Sequence, residues 1–265
     1  MIELPDVERM IDAFAGYATG KTVSVVLIDD SETVDLDGDR AAEQIQGHAI
    51  DTVERHGKYV VLRFRSEVSL VFDMGTDGEV YLESQTAPPR ETSKIRLQFA
   101  AGRELRFAST ASASDVYLIE GDDFSGLGVL NNLGLDPLSE ELTASRFIQL
   151  AGSRGRTSLK GFLMNEEVVA GIGNEYADEI CFQASIRPDC KIADLTDEQL
   201  TLVHKYLRRV LRRATLHWQA AHSDPGWLIN RRRPGHTCPR CMTELESLSL
   251  VGKRTYLCPR CQRAA

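Results

Sequence analysis

Cys238-Pro-Arg-Cys241-Met-Thr-Glu-Leu-Glu-Ser-Leu-Ser-Leu-Val-Gly-Lys-Arg-Thr-Tyr-Leu-Cys258-Pro-Arg-Cys261 places two matched Cys-x-x-Cys pairs near the C-terminal end. The sixteen residues between the pairs are enough for a hairpin that brings four sulfurs around one tetrahedral ion. Thiolates suit zinc, and four of them leave no coordination position open to water. The expected cofactor is therefore a structural Zn2+ that supplies folding free energy to a segment too small for its own core. A redox Cys-x-x-Cys is the alternative reading of either pair taken alone. Gly235 and Gly252 fall at turns, and Lys253-Arg254 lies near the hairpin bend, where basic side chains can enter a nucleic-acid groove.

Outward from the ribbon the chain is electrically two-faced. Residues 1–150 carry thirteen Lys and Arg against twenty-seven Asp and Glu, a net −14, whereas residues 151–265 carry eighteen against twelve, a net +6. Beyond residue 200 only Asp224, Glu244 and Glu246 oppose a basic set that includes Arg208, Arg209, Arg212, Arg213 and Arg231-Arg232-Arg233. A polyanion would meet this half first, so the overall charge of −8 does not exclude a nucleic-acid partner. For the helix arginines a solvated face is the equal alternative.

The 265 residues, 42% hydrophobic and 26% charged, exclude disorder, collagen and coiled coil, and leave room for two or three modest domains. No apolar run approaches the ~20 residues that cross a bilayer, and a secretory leader is absent from the first residues. A cytoplasmic protein off the membrane is expected, with Cys181 and Cys190 as free thiols.

Short β-rich stretches fill the first 120 residues: Thr22 to Ile28, Ala49 to Glu54, Tyr59 to Phe64, Val68 to Phe72, Glu79 to Leu82, Ile95 to Phe99 and Leu105 to Phe107. Turn signals such as His56-Gly57 and Thr76-Asp77-Gly78 separate them, as in a β-sandwich or barrel. Val7 to Ala18 reads as an opening helix with Asp6 as its N-cap. Helical patterns follow at Ser158 to Asn165, Asn174 to Ala184 and Thr196 to Arg213, with a further start at Leu138 to Glu141. Thr196 and Gln199 fit a capping box, and Leu200, Val203, Tyr206, Leu207, Val210 and Leu211 form one stripe. His217 to Pro234 reads as a linker or loop. The fold class is α+β: an N-terminal β-sandwich with flanking helices over residues 1–130, a helical domain over 139–220 and a four-cysteine zinc ribbon over 228–265.

Val168-Val-Ala-Gly-Ile-Gly-Asn174-Glu-Tyr176-Ala-Asp-Glu179, followed by Ile186-Arg-Pro-Asp189, resembles the helix-two-turn-helix signature of the formamidopyrimidine/endonuclease VIII DNA glycosylase family. Glu3-Leu4-Pro5-Asp6-Val7-Glu8, Lys58 in Arg55-His-Gly-Lys-Tyr59, Leu133-Gly-Leu-Asp-Pro-Leu138 and Lys160 before Phe162-Leu163 match the family in the same order. The resemblance spans essentially the whole chain. It implies a DNA repair protein that binds damaged or distorted DNA through Lys160, Gly173, Asn174, Lys253 and Arg254. It also implies structural zinc on Cys238, Cys241, Cys258 and Cys261. A turn such as Gly171 to Asn174, at a helix start, can hold a phosphate without reading bases.

In the family the initiator methionine is removed and the N-terminal proline amine attacks C1′ of the damaged nucleotide, forming a Schiff base. A glutamate moves protons around the sugar, and a lysine of the β-domain assists at the phosphate. Glu3 and Lys58 match these roles, but position 2 is Ile2. A retained Met1 would shift the amine by up to ~3.5 Å, and ~1 Å of misplacement can cost about a hundredfold. A removed Met1 would leave Ile2 with a primary amine beside a β-branched side chain. Lyase chemistry is therefore expected to be reduced or lost.

The family also fills the gap behind an everted base with a methionine and an arginine-phenylalanine wedge. Here those stretches read Asp73-Met74-Gly75 and Phe107-Ala-Ser-Thr-Ala-Ser-Ala-Ser-Asp115, so the wedge is missing, with Met74 as a substitute only if its turn is altered. The leading expectation is a divergent N-glycosylase working as a monomer without a nucleotide cofactor. The alternatives are a non-catalytic DNA-binding protein on the same scaffold and an interaction module using the acidic face.

Overall fold

The computed structural model describes residues 1–30, 34–35, 38–110 and 116–264. The chain forms two compact units, one of Met1–Ile2 and Asp6–Asn131, the other of Glu3–Pro5 and Asn132–Ala265.

In the first unit, α1 (Leu4–Ala18) begins earlier than the sequence suggests. Pro5 sits in the first turn, where its missing N–H costs nothing, and Asp6 lies inside the helix instead of capping it. Val7, Met10, Ile11, Phe14 and Ala18, at helical spacing, are buried. After β1 (Val23–Ile28), the short β2 (Val34–Asp35) and α2 (Gly38–Ile45) come β3 (Ile50–His56), β4 (Tyr59–Phe64), β5 (Val68–Asp73), β6 (Glu79–Ser84), β7 (Ser93–Phe99), β8 (Arg103–Ala108), β9 (Val116–Glu120) and the single turn α3 (Gly128–Asn131).

The strands make two sheets, ordered β1-β7-β8-β6 and β2-β9-β5-β4-β3. Period-two burial explains why both sheets share one core. Val60, Leu62 and Phe64 of β4, Leu70 and Phe72 of β5, Ile95, Leu97 and Phe99 of β7, and Leu105 and Phe107 of β8 all join the same cluster. A β-sandwich with flanking helices is what the alternation predicts. Its ninth strand escaped notice because Val116 to Glu120 is short and follows a run of Ala and Ser.

The second unit holds α4 (Ala144–Gly152), α5 (Leu159–Leu163), α6 (Asn174–Ala184), α7 (Asp197–Leu216), α8 (Trp218–Ser223), β10 (Glu246–Leu250) and β11 (Lys253–Leu257). Thr196 and Gln199 close the expected capping box on α7. Helix α4 starts at Ala144 with Thr143 as N-cap, not at Leu138 to Glu141, where the chain turns instead: the Leu138 N–H donates to Asp136 Oδ1, the Ser139 N–H to the Asp136 carbonyl, and Arg208 of α7 donates to the carbonyls of Pro137 and Ser139. The expected linker at 217–234 instead contains α8 and a 3-10 turn at Leu228–Arg231. Buried Ala221, Trp227 and Leu228 fasten it to the helical and ribbon cores.

Glu179 on α6 is fully buried, accepting from Gln183 Nε2 at 2.6 Å and from the Ile229 N–H at 2.8 Å. Burial pushes its pKa from 4.5 up to about 7. The folded state therefore holds this proton more tightly than the unfolded chain does. Its stability contribution is present below the ordinary value and is lost as pH rises through about 7. Glu179→Gln is expected to flatten the fall in melting temperature over that interval. Melts at half-unit pH steps check this, and an unchanged slope refutes it.

Candidate nucleic-acid interface and metal centre

The start of α6 is built around Glu3. Gly171 has φ +86°, the left-handed region that favours glycine, and its carbonyl accepts from the Leu4 N–H at 2.9 Å. This holds Glu3 against the turn. Its carboxylate accepts from the N–H groups of Gly173 at 2.8 Å, Glu175 at 2.7 Å and Tyr176 at 3.2 Å. A helix start leaves N–H donors unpaired and favours negative charge, so the carboxylate satisfies both needs.

The Gly173 N–H, expected at a phosphate, donates here to Glu3. The Gly173 backbone is extended, at φ −110°, a conformation open to any residue. What requires glycine is space, since a Cβ would lie 2.5 Å from Glu3 Cδ. Gly173→Ala is expected to displace the carboxylate and destabilise the unit by about 1–3 kcal/mol through overpacking. Thermal melts check this, and a melt matching the parent protein would refute it.

Asn174 is half-buried and its Oδ1 accepts from Lys160 Nζ at 2.7 Å. Lys160 has only protons to give, so the amide oxygen must face it and the NH2 group faces away. The Lys160 ammonium also donates to Asp178 Oδ1 at 2.6 Å and Thr255 Oγ1 at 2.7 Å. Its side chain has no exposed surface. All three of its protons are committed inside the unit, and one of them fixes Asn174.

Asp178, equally buried, accepts further from Arg232 Nε and the Tyr256 N–H, both at 3.0 Å. Burial pushes the Lys160 pKa down and the Asp178 pKa up, each against the pull of the other's charge. The network joins α5, α6, the 3-10 region and β11. Arg232 also pairs with Glu175 at 3.0 Å.

On the ribbon, β10 and β11 pair antiparallel, with Leu250 opposite Lys253 and Ser249 opposite Arg254. Both basic residues are exposed at the hairpin end. The four Sγ atoms of Cys238, Cys241, Cys258 and Cys261 lie within 4.8 Å of one another. In each pair the first sulfur accepts from backbone just after it: the Arg240 N–H donates to Cys238 Sγ at 3.4 Å, and the Cys261 N–H to Cys258 Sγ at 3.3 Å. Such donors offset thiolate charge, so the donor set fits a structural zinc ion with a closed shell. Cys258→Ser is expected to abolish stoichiometric zinc and unfold the ribbon. Elemental analysis and limited proteolysis check this, and a folded, metal-free ribbon would refute it.

Ile2 and Lys58 belong to the first unit. Ile2 is partly buried against that unit's core, and Lys58 lies half-buried in the turn between β3 and β4. Met74 is fully buried in the same core, so it is not poised to replace the wedge. Residues 111–115 of the wedge stretch lie outside the described residues.

Sequence reasoning missed Asp178, Arg232 and Thr255. Arg232 is hidden in a run of three arginines that looks uniformly solvated, yet only 7% of its side chain is exposed. Nothing in the spacing of a lysine, an aspartate and a threonine 95 residues apart at the extremes signals a shared network.

The N-terminal domain of formamidopyrimidine-DNA glycosylase matches residues 1–113, its H2TH domain residues 133–223, and the zinc finger found in FPG and IleRS residues 235–264. Formamidopyrimidine-DNA glycosylase of Symbiobacterium thermophilum is 30% identical over 99% of this chain and 89% of its own length. That of Gloeobacter violaceus is 29% identical over 100% and 98%. Among solved structures, Lactococcus lactis Fpg in complex with abasic-site DNA superposes with a TM-score of 0.87 at 23% identity, covering 98% of this chain and 99% of that one.

Proposed function

The chain belongs to the formamidopyrimidine-DNA glycosylase family, and from that premise we propose that it binds damaged or distorted DNA and hydrolyses an N-glycosidic bond, with β-elimination weak or absent. The observation that carries this reading is the Glu3 carboxylate fastened to the first turn of α6, beside Asn174. One turn of helix then presents both a proton-transfer group and an amide donor for phosphate. Water adds at C1′ and yields a proton to Glu3, the C1′–N bond breaks with its electron pair on the leaving nitrogen, and Glu3 returns the proton to the departing base. Lys58 and the exposed Lys253 and Arg254 hold phosphates. The zinc ion keeps the hairpin that carries the last two folded.

Weak elimination follows from Ile2. A neutral terminal amine is a competent nucleophile, but here it sits on Met1, one residue early, or on a β-branched Ile2. The reading includes a monomeric, cytoplasmic protein without a nucleotide cofactor. No helix among the described residues is long and apolar enough to cross a membrane.

Incubation with abasic-site and damaged oligonucleotides, followed by borohydride trapping, tests the proposal, together with intact-mass measurement of the N-terminus. Base release with little trapped complex is expected. Efficient trapping overturns the lyase assignment, and binding without release overturns the catalytic one.

A further inference from the structure

We propose that Glu166 is a positioning residue for base release: its carboxylate fixes the Gly171 turn that seats Glu3 on α6. This deepens the glycosylase reading and rests on it.

Glu166 lies in the loop between α5 and α6, five residues before Gly171, and its Oε2 accepts from the Gly171 N–H at 2.6 Å. A charged acceptor makes such a bond shorter and stronger than one between neutral groups. The other polar group of the same glycine, its carbonyl, accepts from the Leu4 N–H at 2.9 Å. Gly171 is therefore tied on one side to Glu166 and on the other to the residue that follows Glu3. Glycine has wide conformational freedom, and at φ +86° nothing in its own side chain selects this geometry, so the two ties do. Two carboxylates then divide the N–H donors of the turn. Glu166 takes Gly171, and Glu3 takes Gly173, Glu175 and Tyr176.

The tie is itself anchored. The Glu166 carbonyl accepts from the Gly134 N–H at 2.7 Å, the Val168 carbonyl from the Leu135 N–H at 3.2 Å, and the Leu135 carbonyl from the Ala170 N–H at 3.0 Å. Leu135 and Val169 form a parallel bridge. Gly134 runs so close to this loop that a Cβ there would lie 2.3 Å from the Val168 carbonyl carbon. Val168, Val169 and Ala170 are buried, so the loop offers Glu166 a fixed base from which to hold the turn. Leu4 is also fully buried, and a shift of Gly171 is passed through its N–H to the backbone of Glu3. About 1 Å of misplacement can cost a hundredfold in rate, so the bond that sets the turn also sets the chemistry.

The test uses the full-length, zinc-loaded protein, held below the melting temperature of every variant. Glu166→Ala is expected to lower single-turnover base release from a saturating formamidopyrimidine-containing duplex by about ten- to a hundredfold. Affinity for a duplex carrying a tetrahydrofuran abasic analogue should stay within about twofold of the parent's, the split expected when only the chemical step is touched. Glu166→Gln keeps an oxygen for the Gly171 N–H and should recover most of the loss. Glu166→Asp, one methylene short, should fall between the two, and it carries the same comparisons if Glu166→Ala does not fold. In a Glu3→Gln background, Glu166→Ala should change release by no more than about twofold, because a residue that acts through Glu3 then has nothing to position. Hydrogen exchange at the Gly173, Glu175 and Tyr176 amides should speed up in Glu166→Ala. The proposal is overturned if Glu166→Ala keeps the parent rate or the parent exchange, if Glu166→Gln is as slow as Glu166→Ala, if release and affinity fall together, or if the full loss recurs on the Glu3→Gln background. A parent protein that releases no base sinks the glycosylase reading instead, and the exchange comparison still decides whether Glu166 holds the seat.

Discussion

Glu3→Gln lowers base release by about two to four orders of magnitude, the usual contribution of a positioned acid or base, while the second unit still folds. Glutamine keeps the length that lets position 3 reach the start of α6. It has one acceptor oxygen where the carboxylate receives three N–H groups across two. Its NH2 group must therefore face a donor, and a loss of roughly 1–3 kcal/mol in stability accompanies the lost proton transfer. Single-turnover assays with a damaged duplex, run beside thermal melts, separate the two effects. A variant releasing base at the parent rate would remove Glu3 from the chemistry.

Lys160→Met is expected to cost about 3–5 kcal/mol of stability, the range for breaking a buried ion pair by removing one partner. Asp178, Asn174 and Thr255 would each lose a donor inside a region closed to water. The salt dependence of DNA binding should nevertheless keep its slope, because the Lys160 side chain has no exposed surface. Arg254→Ala should do the reverse, leaving stability nearly intact and lowering the slope by about one. Titrations across salt concentrations decide between them. A reduced slope for the lysine variant, with unchanged stability, would return Lys160 to the DNA surface.

Where the sequence was legible, a local rule was at work. The Cys-x-x-Cys pairs announced their site through spacing alone. Tyr59 to Phe64 and Asn174 to Ala184 match β4 and α6 at both ends, because alternation and helical burial are written in consecutive residues. The failures share a different origin. The segment after α7 looked like a linker since its helix is six residues long and is stabilised by packing instead of propensity. Gly173 reads from the sequence as part of a tight turn at a helix start, whereas what the fold uses is the absence of a Cβ beside a side chain 170 residues away.

The β-rich first half and helical second half, the four cysteines of the ribbon and the lopsided charge were determined by the sequence alone, since each depends on neighbours in the chain or on residue type. Only the tertiary structure decided that Glu3 seats itself on the start of α6, that Lys160 is buried and hydrogen-bonded to Asn174, and that Trp218 and His222 stack near Tyr176. Hydrogen bonds and buried charges are satisfied by whichever groups folding brings within about 3 Å, and sequence distance has no bearing on which groups those are.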